Sequence, residues 1–95
     1  MDKETPLRPD DAVELNPTHH FRWEEPQQAH VLLYPEGIVK LNETAAAIIE
    51  AAIASPTIDA AAKTIAFRYG RDDLEPKIMN FLEDARAKGW IRVKS

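Results

Sequence analysis

The stretch "HVLLYPEGIVKLNETAA", residues 30–46, contains two apolar runs, a turn and the start of a helix. The first run, residues 30–34, is apolar from Val31 onward, which is typical of a strand with a neighbour on both edges. A Pro-Glu-Gly tripeptide follows at 35–37, where proline fixes one φ and glycine permits a positive φ. The pattern predicts a hairpin whose second strand occupies Ile38 to Leu41.

Another strand, the first of the three, is predicted before this hairpin. In "HFRWEE", residues 20–25, Phe21 and Trp23 alternate with polar residues at the period of a half-buried strand. Pro26 then supplies a turn into the next run. The three runs predict an antiparallel meander with residues 30–34 in the centre, and we expect Trp23 and Leu33 to face the helices.

The first helix is predicted to begin at Glu43, directly after Asn42. The Asn42 side chain can accept a hydrogen bond from an early helix N–H, and Glu43 favours the positive end of the helix dipole. Pro56 ends this helix. Its apolar stripe is Ala45, Ile48, Ile49, Ala52 and Ile53.

Two more helices follow. Thr57 can cap the second, and Gly70 fits the left-handed position after its end. Asp73 is the better cap for the third, because Pro76 belongs in a first helical turn. Beyond Gly89, we expect Trp90 and Ile91 to fold back onto the helix. The stripes are Ile58, Ala61, Ala62, Ile65 and Tyr69 in the second helix, and Ile78, Phe81, Leu82 and Ala85 in the third.

The order of elements predicts an α+β fold, with a three-stranded antiparallel meander followed by three helices. A chain of 95 residues has room for one domain with a modest core, which we place at residues 15–95. Residues 1–14 contain two prolines and few apolar anchors, so we expect a flexible arm. The alternative is that Leu7 and Val13 fasten this segment to the core.

The chain lacks cysteine and any apolar run long enough to span a membrane, and its N-terminus has no secretory pattern. We therefore expect a cytoplasmic protein with no membrane partner. A formal net charge of −4 works against non-specific binding to nucleic acid.

No catalytic or metal-binding pattern stands out. His19 and His20 are adjacent and would point to opposite faces of a strand, so we expect no metal site with them or with His30. The acidic pairs fall at turns, caps or exposed faces, and the three glycines are isolated. These features predict a binding protein with no catalytic residues and no cofactor.

Two kinds of partner remain open. A small domain of strands and three helices is compatible with a winged-helix DNA-binding regulator, although the second helix offers only Lys63 and Arg68 as cations. The third strand, Gly37 to Leu41, comes last in the meander and has one edge free. A free edge can pair with a peptide or with a second copy of the chain.

Two motifs carry a family resemblance. The run "RWEEPQQAHVLLYPEGIVKLNETAAAI" and the later "FLEDARAKGWI" resemble the PqqD family, the small peptide chaperones of pyrroloquinoline quinone (PQQ) biosynthesis. The similarity extends from about Leu15 to Ile91. The chain departs from the family around "IASPTIDAAAKTIAFRYG", where relatives commonly have a short turn before the second helix.

This resemblance implies a winged-helix-like peptide-recognition domain without catalytic activity. Its partners would be the precursor peptide PqqA and the radical SAM enzyme PqqE, to which the peptide is presented, and the chain would be a monomer or a weak homodimer. The peptide would add beside the third strand and pack on the third helix. The implied peptide-binding residues are Gly37, Ile38, Val39, Lys40, Leu41, Ile78, Phe81, Leu82 and Ala85.

Overall fold

The fold consists of two small antiparallel sheets and three helices. It is known from a computed structural model, which describes residues 6–94. The elements, in chain order, are β1 (Val13–Leu15), β2 (His20–Glu24), β3 (Ala29–Tyr34), β4 (Gly37–Leu41), α1 (Glu43–Ala54), α2 (Ile58–Tyr69), α3 (Leu74–Ala87) and β5 (Ile91–Val93).

The larger sheet has the strand order β2-β3-β4, which confirms the meander and its central strand. β3 pairs with β4 from Tyr34 opposite Gly37 to His30 opposite Leu41. The connection is therefore a two-residue turn, Pro35-Glu36. Gly37 has no positive φ, so the freedom that glycine offers is not used at this turn.

The two faces of β3 differ from the expected arrangement. Leu32 is fully buried and packs with Leu41 and Ile49 beneath the sheet. Leu33 points to the opposite face and is only partly buried, so the expectation that it faces the helices is wrong. Trp23 shares the face of Leu32 because it lies opposite His30, but it stays 47% exposed at the end of the sheet.

The helix starts follow the sequence at two of three positions. Asn42 Oδ1 accepts from the Ala45 N–H at 2.7 Å, and Thr57 Oγ1 accepts from the Ala60 N–H at 3.1 Å. Asp73 precedes α3 but makes no side-chain cap bond. Its carboxylate pairs with Arg71 instead, at 2.7 Å, which explains why this expected cap is absent.

The helices bury mostly the predicted stripes. Tyr69 is 42% exposed, so its place in the α2 stripe is wrong, and Ala66 lies in the core at that end of the helix. In α1, Ala46 is buried while its neighbour Ala45 is only partly buried. Gly70 ends α2 with a φ of 67°, in the left-handed conformation expected there.

A second sheet joins the two ends of the described chain. β1 pairs antiparallel with β5, with Val13 opposite Val93 and Leu15 opposite Ile91. Val13 is 1% exposed and packs in the helical core, and Leu7 also packs against this core. Residues 6–14 are therefore not a free arm, because Leu7 and Val13 fasten them as in the alternative. The rest of the expected arm, residues 1–5, lies outside the described residues.

The segment before β1 completes the start of α2. The first N–H groups of a helix have no partner within the helix. Here the Ile58 N–H donates to the Asp11 carbonyl at 2.8 Å, and the Asp59 N–H donates to the Pro9 carbonyl at 2.9 Å. The Leu7 N–H in turn donates to Glu83 on α3. The N-terminal segment is thus part of the scaffold that holds α2 and α3.

Candidate functional site

β4 has a neighbouring strand on one edge only among residues 6–94. The hairpin closes at Tyr34 and Gly37, and in such a hairpin the closing pair and every second pair after it are hydrogen-bonded across the strands. Ile38 and Lys40 therefore direct their backbone N–H and C=O groups away from β3. An extended chain can add along this edge as a further strand.

The side chains of β4 divide by face. Ile38 is 50% exposed and Lys40 is exposed, both on the outer face of the sheet. Val39 is partly buried on the inner face, and Leu41 belongs to the core at 5% exposure. Of the residues implied by the family resemblance, Leu41 is thus a supporting core residue, whereas its neighbours reach the surface.

The predicted α3 residues are mostly interior. Ile78, Leu82 and Ala85 are at most 3% exposed and pack against α1, α2 and β1 residues. Phe81 is partly buried and packs against both the helical core and the core beneath the sheet, as Trp90 also does. Phe81 is therefore the member of this predicted set that lies at the junction between α3 and the sheet.

A cleft separates the turn end of the larger sheet from the end of α3. We call it the Trp90 cleft; its volume is about 590 Å³. Lys88 Nζ lies 5.5 Å from the Trp90 ring centroid, and His19 stacks on Tyr34 with centroids 5.6 Å apart. Its walls are Asn16, Thr18, His19, Tyr34, Pro35, Glu36, Val39, Lys88, Gly89 and Trp90.

Sequence reasoning did not assign Trp90 to a site. The pattern after Gly89 predicted that Trp90 would fold back on the helix. The backbone N–H of Trp90 does donate to the Ala85 carbonyl, at 2.9 Å. Trp90 lines the cleft because the chain after it, β5, returns to pair with β1. An aromatic residue directly after a helix end was the available signal, but the strand that pairs with β5 is remote in the sequence.

A second cleft opens at the other end of the same sheet. We call it the Trp23 cleft; its volume is about 500 Å³, and it lies between the sheet and the first half of α1. Lys40 and Leu41 of β4 line it, so both clefts adjoin the strand with the free edge. The other walls are Trp23, Gln28, Ala29, His30, Asn42, Glu43, Ala46, Ala47 and Glu50.

Hydrogen bonds fix the rim of the Trp23 cleft. The indole N–H of Trp23 and the side-chain amide of Gln28 both donate to the Glu25 carboxylate at 2.9 Å. Both bonds stabilise the charged carboxylate and so hold the pKa of Glu25 below its ordinary value. The bond from Trp23 makes the larger contribution. The edge of the Trp23 ring also rests on His30, with centroids 5.2 Å apart.

Two of the four cations on α2 and α3 are paired, and the other two, Arg68 and Lys77, lie one on each helix. Lys63 bonds to Asp59 and Glu75, and Arg86 forms an ion pair with Glu83. The Arg86 guanidinium, with a smaller contribution from the Leu7 N–H, keeps the pKa of Glu83 below its ordinary value. These helices therefore offer no row of unpaired cations of the kind that a DNA groove attracts.

The described residues hold no grouping of three or more potential metal ligands. His19 and His30 instead take part in ring contacts, such as the stacking of Phe21 on His30 with centroids 5.1 Å apart. Within residues 6–94, no helix combines the length and apolar character needed to cross a bilayer.

Comparisons with known proteins agree with one another. The family model for coenzyme PQQ synthesis protein D (PqqD) matches residues 29–91. A PqqA binding protein of Methylococcus capsulatus is 42% identical over 90% of this chain and 92% of its own length. One of Azotobacter vinelandii is 40% identical over 87% of this chain and 91% of its own length.

A solved structure has the same fold. It is the solution NMR structure of the PqqD truncation of Methylobacterium extorquens PqqCD, described as a stand-alone recognition element for ribosomally synthesised and post-translationally modified peptides. The superposition gives a TM-score of 0.75 at 24% identity and covers 96% of this chain and 99% of the other. With the family match and the extent of similarity to the two bacterial relatives, this places the chain in the PqqD family of coenzyme PQQ synthesis proteins.

Proposed function

We propose that this chain binds the precursor peptide PqqA as an added strand on β4 and presents it to the radical SAM enzyme PqqE. The observation that carries the proposal is the unpaired edge at Ile38 and Lys40, which lies between two clefts in a member of the PqqD family. The names of the relatives support PqqA as the peptide. The chain itself would act without catalytic residues or a cofactor.

The contacts proposed for the peptide follow from exposure. Ile38 and Lys40 supply up to two backbone donors and two backbone acceptors, and Val39 and Phe81 supply apolar contacts on the inner side. Gly37 lets the peptide approach the turn closely. The buried residues Leu41, Ile78, Leu82 and Ala85 act by holding β4 and α3 in position.

The expected affinity is moderate. Each added backbone hydrogen bond contributes a net of about 1 kcal/mol, and each buried apolar side chain of the peptide contributes about 1.5 to 3 kcal/mol. Ordering a flexible peptide costs several kcal/mol. The balance corresponds to micromolar binding, which suits a carrier that must release its peptide to an enzyme.

The edge contact is tested with Ile38→Pro and its control Ile38→Ala. Proline removes a backbone N–H of β4 that faces the free edge rather than β3, so the fold should persist. The added strand loses its bond to this donor and meets the proline ring. We expect binding of synthetic PqqA, measured by calorimetry, to weaken about tenfold or more in Ile38→Pro. The Ile38→Ala variant should lose clearly less.

Equal affinity of the two variants, with both folded by circular dichroism, would contradict addition along β4. Backbone amide shifts during the same titration locate the contact independently. They should change most at residues 37–41 and around Phe81, whereas changes confined to β2 would place the peptide elsewhere.

Presentation to PqqE needs a separate measurement. PqqE and PqqA are mixed with the chain or with Ile38→Pro, and conversion of PqqA is followed by mass spectrometry. The chain should accelerate conversion and the variant should do so less at the same concentration. If PqqA is converted at the same rate with the chain, with the Ile38→Pro variant and with neither, presentation to PqqE is contradicted.

A further inference from the structure

The Trp23 cleft is not used by a peptide that only adds along β4. Its aromatic wall belongs to the "RWEEPQQ" segment, which spans the end of β2 and the turn into β3 and lies away from the free edge of β4. The fold nevertheless holds this wall in a defined position. The segment therefore calls for a role beyond closing the hairpin.

The position of Trp23 is fixed although the ring is 47% exposed. Its N–H is bonded to Glu25, and Gln28 is bonded both to the Glu25 carboxylate and to the Glu25 carbonyl, each at 2.9 Å. Gln28 has a φ of 52°, the one positive φ outside glycine among residues 6–94. A non-glycine residue in this conformation costs free energy, and such strain concentrates at ligand sites.

The chemistry of the cleft is apolar at the base and acidic at one rim. Ala46 and Leu41 are buried at its base. Glu43 and Glu50 lie two helical turns apart on α1, both exposed, and neither has an ion-pair partner among the described residues. This arrangement suits an apolar or aromatic side chain that is followed or preceded by a cation.

The position of the cleft identifies its occupant. Lys40 and Leu41 are the last residues of β4, and both line the cleft. A strand that adds along the free edge would leave β4 at this end. The continuation of the same chain would then arrive at the Trp23 ring within a few residues, since an extended chain advances about 3.3 Å per residue.

We infer that the Trp23 cleft is a second subsite for the peptide bound on β4, and that it takes an apolar or aromatic side chain next to a lysine or arginine. The inference rests on the proposed function, because the peptide reaches the cleft from the β4 edge. Trp23 and His30 contact the apolar side chain, and Glu43 and Glu50 pair with the cation.

The first experiment uses the full chain labelled with 5-fluorotryptophan, which gives one ¹⁹F signal for Trp23 and one for Trp90. The Trp23→Phe variant assigns the two signals. Saturation with synthetic full-length PqqA should shift the Trp23 signal. Amide shifts at Ile38 and Lys40 in the same sample report whether the peptide is on the edge.

The affinity measurement compares Trp23→Ala with Phe67→Ala. Phe67 is 87% exposed on α2 and lines neither cleft, so it is a matched aromatic control. Trp23→Ala should weaken PqqA binding about tenfold, as is common for a central aromatic contact, and Phe67→Ala should leave it unchanged. Both variants are checked for folding by thermal unfolding.

The charge contact is tested by neutralising Glu43 and Glu50 to glutamine. Asp72 and Asp84, exposed residues outside both clefts, are changed to asparagine in the control, which has the same net charge. We expect the first pair to weaken binding about fivefold and the control pair to have little effect. Equal weakening in both would overturn the assigned contact between the rim carboxylates and a cation.

The outcomes separate the two hypotheses. A moving Trp23 signal with weakened Trp23→Ala binding supports the subsite. An unmoved Trp23 signal and unaltered Trp23→Ala affinity, while the Ile38 and Lys40 amides shift, would overturn the subsite and leave edge binding standing. Saturating PqqA that moves neither the tryptophan signals nor the β4 amides would overturn the proposed function itself.

Discussion

Leu32 and Leu33 are identical neighbours in the sequence with different surroundings. A continuous apolar run shows that a strand is central, but it does not show which alternate residues face the core. Register decides this, since Leu32 lies opposite Phe21 and Val39, whereas Leu33 lies opposite His20 and Ile38. The alternation in β2 could have indicated the register, because Phe21 lies on the inner face of the sheet and is paired with Leu32.

The first prediction concerns this pair. Leu32→Ala should reduce the free energy of unfolding by about 3 to 5 kcal/mol, because Leu32 is fully buried. Leu33→Ala should cost clearly less, since that side chain is only partly buried. Urea unfolding of both variants measures the difference, and a larger loss for Leu33→Ala would show the register to be shifted by one residue.

At the level of elements, local signals were sufficient for most of the fold. The hairpin turn, the caps at Asn42 and Thr57 and the left-handed Gly70 are each decided within a few residues. The β1–β5 sheet was missed because each strand has three residues, and its pairs are nearly the whole chain apart. Strands this short have no readable periodicity, so their pairing depends on tertiary packing.

One part of the candidate site, the free edge of β4, could be predicted from the sequence, whereas the two clefts could not. The free edge at Ile38 and Lys40 follows from strand order, and sequence patterns recover strand order in a short meander. The Trp23 cleft depends on how Trp23 lies beside α1, and the Trp90 cleft on how Trp90 lies beside the turn end of the sheet, and no local pattern specifies either position. Family resemblance named α3 residues, but exposure separates Phe81 from its buried neighbours.

A prediction about helix starts distinguishes a bonded cap from an unbonded one. Asn42→Ala should lower the free energy of unfolding by about 1 kcal/mol, because it removes the bond to the Ala45 N–H. Asp73→Ala should cost less, since Asp73 makes no cap bond and its ion pair with Arg71 is exposed. Thermal unfolding of the two variants compares their stabilities. A larger loss of stability in Asp73→Ala than in Asn42→Ala would contradict the prediction.

For the whole molecule, the N-terminal segment connects parts that are distant in the sequence. It supplies carbonyl acceptors to α2, a contact to Glu83 on α3 and the strand that pairs with β5. The sequence suggested this connection only as an alternative, since two prolines and several charges conceal Leu7 and Val13. The stability of the sheet end that carries the free β4 edge therefore depends on residues outside it, through α1 and α3.

Truncation tests this dependence. A chain that starts at Val13 loses Leu7 and the carbonyls of Pro9 and Asp11, which leaves two N–H groups of α2 without their partners. We expect it to be less stable than a chain that starts at Pro6 by about 2 to 4 kcal/mol. Urea unfolding of both measures the difference, and equal stability would show that these contacts contribute nothing.

The pairing of β1 with β5 has a mechanical consequence. Val13 faces Val93, so the chain enters and leaves this ladder at the same end. Tension between the two strand ends, once it reaches the ladder, would break its hydrogen bonds one pair at a time (unzipping geometry) rather than load them all together (shear geometry). A protease or translocase pulling on the C-terminal end would therefore meet little resistance at first, whereas one pulling on the N-terminal end would first have to detach Leu7 and the carbonyls bonded to α2.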